Sequence, residues 1–390
     1  MAIYLDHAAT TPMSAEVLAA YVDALGVVGN PSSIHSQGQN AKRMLEEARE
    51  RVAAAVGADS VEVTFTSGGT EAINLAIKGL WWARPSSGST RNRILITAAE
   101  HHATLDAAAW LAASEGAIIQ QVPVDSLGRI DLDALERMLG PDVALVSVLL
   151  ANNEVGTVQP VSEVVALASR FDVPVHVDAV SAFGYLPIDF HILGAAALSV
   201  SAHKIAGPVG VGALLIARTA TVVPLIHGGS QQRARSGTQD AAGAVAFGVA
   251  AERAAAGIQE RQRRLSALRD RLIAGIHSAV PSAILRGDPT DRLAGNAHFT
   301  FPGCEGDSLL FLLDVAGFSV STGSACQAGV PEASHVLLAM GVPEADARGA
   351  LRITIGEDTT EADIDAFVAV LPAAVARASA AGLADRAVRA

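Results

Sequence analysis

Between about residue 60 and residue 217 the chain alternates short runs of β-favouring residues with stretches of helical apolar spacing. The runs are Val61–Phe65, Arg93–Thr97, Ala117–Val124, Val143–Leu150, Pro174–Val177, Ala197–Ser201 and Val211–Ala217. This alternation predicts strands joined through helices, and hence a mostly parallel sheet flanked by helices. Val143–Leu150 is apolar at every position except Ser147, which fits a strand covered on both faces and lying centrally. After Asp240 an alanine-rich helical pattern continues, with interruptions, towards His277, long enough to cross between domains. Beyond it, apolar runs at Ala283–Leu285, His298–Phe301, Phe318–Val320 and Leu351–Ile355 mix with helical patterns at Asp307–Val315, Ser334–Met340 and Thr360–Ala376. The expected division is a large α/β domain, residues 15–255, and a smaller α+β domain built from residues 1–14 and 256–390. No internal repeat is visible, and the one loop-like linker is Pro85–Thr90.

Composition narrows this picture without changing it. A chain of 390 residues exceeds one ordinary core, consistent with two domains. Charged or polar residues interrupt every apolar stretch before the roughly 18 residues that a membrane-spanning helix needs, so no membrane association is expected. Met1–Met13 has neither a basic start nor an apolar core, so a cytoplasmic location is expected. The net charge of -12 and a pI near 5.3 oppose direct nucleic-acid binding. The arginines of Arg261–Arg271 alternate with acids and leucines, the pattern of a solvated helix face. Cys304 and Cys326 are the two cysteines, expected as separate thiols in a reducing compartment.

Three segments carry candidate chemistry. Lys42, Lys78 and Lys204 are the only lysines, and Lys204 alone follows a buried-strand pattern, where ligands of open α/β sheets collect. Ser67-Gly68-Gly69-Thr70-Glu71 links a strand to a helix. Its glycines and free N–H groups suit a phosphate or, equally, a tight turn. Asp178 ends the strand pattern 26 residues before Lys204, placed either to pair with a protonated ring nitrogen or to cap the turn.

Taken with its surroundings, Lys204 in Ser201-Ala202-His203-Lys204-Ile205-Ala206-Gly207-Pro208 resembles the cofactor-lysine motif of the cysteine desulfurases, class V aminotransferases of the fold-type I pyridoxal-phosphate (PLP) group. Matching motifs run from end to end: Tyr4 to Pro12, Thr66 to Glu71, Glu100 to Ala103, Asn152 to Gly156, Arg235 to Thr238, Ser321 to Cys326 and Arg352 to Gly356. The short Ser321–Cys326 stretch and the Arg235–Thr238 pattern resemble the group I, iron-sulfur-assembly branch.

The resemblance implies PLP as cofactor, bound covalently to Lys204, which also moves the substrate's Cα proton. It implies that Asp178 pairs with the ring nitrogen. Gly69, Thr70, Ser201 and His203 hold the phosphate, with Thr238 entering from the other subunit of a homodimer. His101 stacks on the ring and takes part in proton transfer, while Asn153 and Arg352 receive the substrate carboxylate. Cys326 accepts sulfur from L-cysteine as a persulfide, releases L-alanine, and delivers the sulfur to an iron-sulfur scaffold protein or a tRNA-thiolation enzyme. No resident metal is implied, although Cys326 could ligate a cluster during transfer. Ser181 stands where the family usually has a glutamine that contacts the ring's phenolic oxygen, and Ser230 stands where a third glycine is usual. Cys304, at a turn beside acids, is expected to be structural. The rival activities are a selenocysteine lyase or another class V aminotransferase, neither of which needs a loop cysteine.

Overall fold

The computed structural model describes residues 2–84, 90–229, 231–323 and 333–389, with side chains through residue 380. Its strands are β1 (Ile3–Tyr4), β2 (Val63–Thr66), β3 (Arg93–Thr97), β4 (Ile118–Val122), β5 (Val143–Leu149), β6 (Val175–Asp178), β7 (Ala197–Ser201), β8 (Gly212–Ile216), β9 (Ile284–Arg286), β10 (Asn296–Thr300), β11 (Phe318–Ser319) and β12 (Ala350–Thr354). The main sheet has the order β2-β8-β7-β6-β5-β3-β4. Its members from β3 to β7 pair in parallel, and β8 runs antiparallel to both β7 and β2. The expected mostly parallel α/β sheet is therefore present. β5 lies between β3 and β6 with all seven residues buried, as its unbroken apolarity requires. The connection from β7 to β8, residues 202–211, is too short for the crossover that a parallel neighbour needs. β8 therefore returns antiparallel, and the connection, which carries Lys204, stays at the mouth of the sheet.

A second sheet has the order β12-β10-β9 and is antiparallel, while β1 pairs in parallel with β11. One apolar cluster gathers buried residues from Val17 to Ala254 around the main sheet, and another joins Leu5 to residues between Leu265 and Ala378. The helices Ala241–Ala256 and Ile258–Ala279 meet at a bend of 72° at Gly257. Among the described residues no single helix is long and apolar enough to cross a membrane.

Two elements differ from the pattern-based expectation. Val61 belongs to a 3-10 turn, Ser60–Glu62, and not to a strand, because Asp59 and Glu62 cap each other reciprocally and leave Val61 exposed. The last helix, Glu361–Arg389, runs beyond Ala376 and through Pro372. Proline removes one helical hydrogen bond, but Phe367, Leu371, Ala374 and Ala378 are buried in the second cluster, and that packing carries the helix across.

Candidate active site

A cavity of about 420 Å³ opens at the carboxyl ends of β5 and β6 and at the turn following β7, the edge at which open α/β sheets collect ligands. Leu149, Asp178 and Lys204 come from those strand ends. Gly69 and Thr70 come from the start of the helix Gly69–Ala83, Ala8 and Ala9 from the N-terminal segment, and Arg352 from β12.

Lys204 ends a single 3-10 turn, Ala202–Lys204, that begins as β7 finishes. Its Nζ donates to the carbonyl oxygens of Ala8 and, at 2.9 Å, Ala9. Burial first, and then the nearby Arg352 guanidinium, push its pKa down to about 8, against the opposing pull of Asp6 and Asp178. A useful fraction of this amine is therefore uncharged and nucleophilic near neutral pH.

Asp178 is 2% exposed, and its Oδ1 accepts the Val180 N–H at 2.9 Å. Burial raises its pKa to about 6, although the Val180 N–H and Lys204 favour the carboxylate. A cation placed against Asp178 would relieve the cost of that buried charge. His101 caps the helix His102–Glu115, its Nδ1 accepting the Ala103 N–H at 3.1 Å. The proton of the neutral ring therefore sits on Nε2, and burial lowers the pKa to about 4, so the ring is neutral at physiological pH.

Glycine is required where the helix Gly69–Ala83 begins. Gly68 has φ 148°, a Cβ on Gly69 would lie 2.8 Å from Val180 Cγ2, and one on Gly212 would lie 2.7 Å from the Gly68 backbone. These close approaches hold the first turn over the sheet mouth with its N–H groups facing the cavity. Glu71 fastens the turn, accepting the Ser67 N–H at 2.7 Å and pairing with Arg235 at 3.1 Å. Beside it, the Ser201 hydroxyl is buried and has no hydrogen-bond partner among the described residues. His203 meets the Thr10 hydroxyl at 3.2 Å and is kept neutral by burial and Lys204, with a pKa near 4. A helix N-terminus, an unpaired buried hydroxyl and an adjacent lysine suit the phosphate of a lysine-bound cofactor, while Asp178 suits a protonated ring nitrogen. The residues present therefore fit PLP.

Opposite them, Arg352 Nη1 donates to the Asn153 carbonyl at 3.0 Å and Nη2 to Asp6 Oδ1 at 2.8 Å. Ser181 lines the cavity and also a smaller adjoining one of about 40 Å³, shared with Asn153, Tyr185 and Lys204. The short side chain leaves room at that junction for a water, which needs only about 10–15 Å³.

Gly69, Thr70, His101, Asn153, Asp178, Ser181, His203, Lys204 and Arg352 thus share one cavity, with Ser201 at its edge. Thr238, in the loop before the helix Ala241–Ala256, is not in the wall formed by this chain. Cys326, the stretch around it, Ser230 and most of the Pro85–Thr90 loop lie outside the described residues. Cys304 is buried, with Sγ 3.1 Å from the Ser379 hydroxyl, and burial raises its thiol pKa. Sequence reasoning assigned no role to Asp6 or Glu100. Asp6 stood within a quoted motif, but its partner Arg352 lies 346 residues away and no local pattern links the two. Glu100 is fully buried beside the site, binding the Thr97 hydroxyl and the Leu149 N–H, with its pKa pushed up to about 8.

The family described as Aminotransferase class-V matches residues 3–367. An "IscS-like cysteine desulfurase" of Mycobacterium tuberculosis is 52% identical over 385 residues, covering 98% of each chain. "Cysteine desulfurase NifS" of Azotobacter vinelandii is 40% identical, over 96% of this chain and 93% of that protein. A solved structure titled "NIFS-LIKE PROTEIN" superposes with a TM-score of 0.89 at 34% identity, over 96% of this chain and 100% of its own. A structure of SspA in complex with cysteine aligns with a TM-score of 0.78 at 31% identity, over 90% of this chain and 98% of its own.

Proposed function

This chain belongs to the class V aminotransferase family, and from that premise we infer that it is a PLP-dependent cysteine desulfurase acting on L-cysteine. The observation that carries the reading is the placement of Lys204, Asp178 and an anion-accepting helix start around one cavity. When bound, PLP supplies a carbonyl that condenses with amines and an electron-withdrawing ring that makes the substrate's Cα proton removable.

Lys204, partly neutral near pH 7, provides the amine that anchors the cofactor and afterwards carries the Cα proton. Asp178 would hold positive charge on the ring nitrogen of PLP, and Gly69, Thr70, Ser201 and His203 would receive its phosphate. Arg352 presents N–H donors to the substrate carboxylate, with Asn153 beside it. His101 offers a neutral Nε2–H to the cavity; protonating Nδ1 would break its helix cap, so it serves more readily as donor and stacking surface than as base.

The finer reading extends to partners. Cys326 takes the sulfur as a persulfide, L-alanine leaves, and the sulfur passes to an iron-sulfur scaffold protein or a tRNA-thiolation enzyme. The active unit is a homodimer in which Thr238 completes the phosphate site of the other subunit.

The test is incubation with L-cysteine while measuring alanine and sulfide, with intact mass and peptide mapping of added sulfur. Cys326→Ser is expected to keep the yellow cofactor and lose sulfur transfer. Sulfur found on Cys304 alone, or alanine production by Cys326→Ser at the wild-type rate, would overturn the role of Cys326.

A further inference from the structure

The guanidinium of Arg352 is almost enclosed, its side chain being 6% exposed, and Asp6 is its one carboxylate partner among the described residues. Its backbone is pinned on both sides, paired with His298 on β10 and hydrogen-bonded to Ser321. Two holders fix the plane of the head group, the Asn153 carbonyl on Nη1 and Asp6 on Nη2. Asp6 is itself held in a built turn. The Tyr4 hydroxyl lies 2.9 Å from the Asp6 carbonyl and 3.0 Å from the Thr10 carbonyl and shares its one proton between them, Asp6 bridges to Thr354, and the Ala8 N–H donates to the Thr354 hydroxyl at 2.9 Å. The same turn supplies the Ala8 and Ala9 carbonyls that accept Lys204 Nζ. One short segment therefore touches both cations of the cavity.

We propose that Asp6 is a positioning residue that holds Arg352 for the carboxylate of L-cysteine and is the counter-ion shared by Arg352 and Lys204. The proposal rests on the desulfurase reading and deepens it. A carboxylate is bound bidentately only by a guanidinium whose plane is already set, so losing one holder costs affinity for carboxylate-bearing ligands specifically. Without Asp6, Arg352 would be a nearly buried cation beside a second cation. The charged and titratable groups facing Lys204 are Arg352, Asp6 and Asp178, the neutral rings of His101 and His203, and, across the smaller cavity, His7 and the Tyr185 phenol; of these, Arg352 disfavours the ammonium, and Asp6 and Asp178 favour it. Removing the Asp6 charge therefore makes Lys204 easier to deprotonate.

The experiment uses PLP-loaded wild type, Asp6→Asn and Asp6→Ala, titrated with L-alanine and with cysteamine while following the cofactor's visible absorption. Cysteamine offers the amine without the carboxylate. For Asp6→Ala the dissociation constant of L-alanine should rise about tenfold or more, with that of cysteamine within roughly twofold of wild type. Asp6→Asn, whose amide oxygen can still accept from Arg352, should fall between. In cofactor-free protein, acetylation of Lys204 by acetic anhydride, mapped by peptide mass across pH, should show a midpoint moved to lower pH in both variants. Equal weakening of both ligands, or no weakening, would make Asp6 a purely structural bond and overturn the proposal, as would an unmoved midpoint in Asp6→Asn. A wild type that converts no L-cysteine would instead sink the desulfurase reading, and this proposal with it. A wild type that turns over L-cysteine beside unaltered variants would sink the proposal alone.

Discussion

His176 and Asp178 stand two residues apart on β6, on the same face of the strand, and burial acts on them in opposite ways. His176 Nδ1 lies 2.9 Å from the Ser147 hydroxyl on β5 and Nε2 lies 2.8 Å from the Ser199 hydroxyl on β7. Both nitrogens are satisfied, and burial lowers the pKa to about 3, so the ring is a neutral rivet between three strands. Asp178 has one oxygen on the Val180 N–H and looks into the cavity, with a pKa raised to about 6. Both groups are strongly perturbed. Perturbation alone does not mark a functional residue; Asp178 is distinguished because its remaining hydrogen-bonding capacity faces a cavity that other polar groups share.

The largest effect expected from breaking this comparison is that of Asp178→Asn. The amide keeps the Val180 contact but not the charge, so cofactor should still load while single-turnover rate falls about a hundredfold, roughly 2.7 kcal/mol of barrier. In the cofactor-free protein its urea unfolding midpoint at neutral pH should not fall, because the amide removes a charge that burial disfavours. An unchanged single-turnover rate would remove Asp178 from the chemistry.

His176→Phe should behave in the opposite way. The Ser147 and Ser199 hydroxyls lose their partner in a fully buried position, at a cost of about 1–3 kcal/mol in unfolding free energy. Rate per loaded molecule should stay within roughly fivefold of wild type, less than about 1 kcal/mol of barrier. Wild-type stability with a collapsed rate would show that the two residues do not divide as described.

The smallest effect, taken per pH unit, is in the pH dependence of stability. His176 takes up a proton more readily unfolded than folded, so its contribution is lost as pH falls from about 6.5 towards about 3. Asp178 takes one up more readily folded, so its contribution runs the other way and shrinks as pH rises from about 3.8 to about 6. Between pH 4 and 6, unfolding free energy against pH should rise more steeply in Asp178→Asn than in wild type and less steeply in His176→Phe, by at most about 1.4 kcal/mol per pH unit. Identical slopes in the three proteins would mean that neither group titrates as the environment implies.

The sheet was legible because its strands, the edge strand β4 apart, are buried on both faces, and β7 begins and ends where the run Ala197–Ser201 does. Lys204 and Asp178 could be singled out for the same reason: a polar residue that ends such a run must sit at the sheet's edge. Val61 was misread because an apolar residue in a capped turn looks like the start of a strand. His176 looked like any polar residue in a strand, since its two serines lie 29 and 23 residues away in sequence. Asp6 and Arg352 depend on a contact across almost the whole chain, and neither periodicity nor spacing can report one.

That long contact bears on how the protein is made. β1 pairs with β11, Asp6 bridges to Thr354, and the Ala8 N–H reaches the Thr354 hydroxyl. During synthesis Ile3–Leu5 have no partner strand until residues 317–319 emerge, and Asp6–Ala8 lack theirs until Thr354 does. The main sheet, complete by residue 216, can form long before that. The wall that holds Lys204 and Arg352 is thus closed by the meeting of segments 346 residues apart. A growing chain is expected to fold its scaffold first and to become competent for chemistry only after Thr354 has emerged.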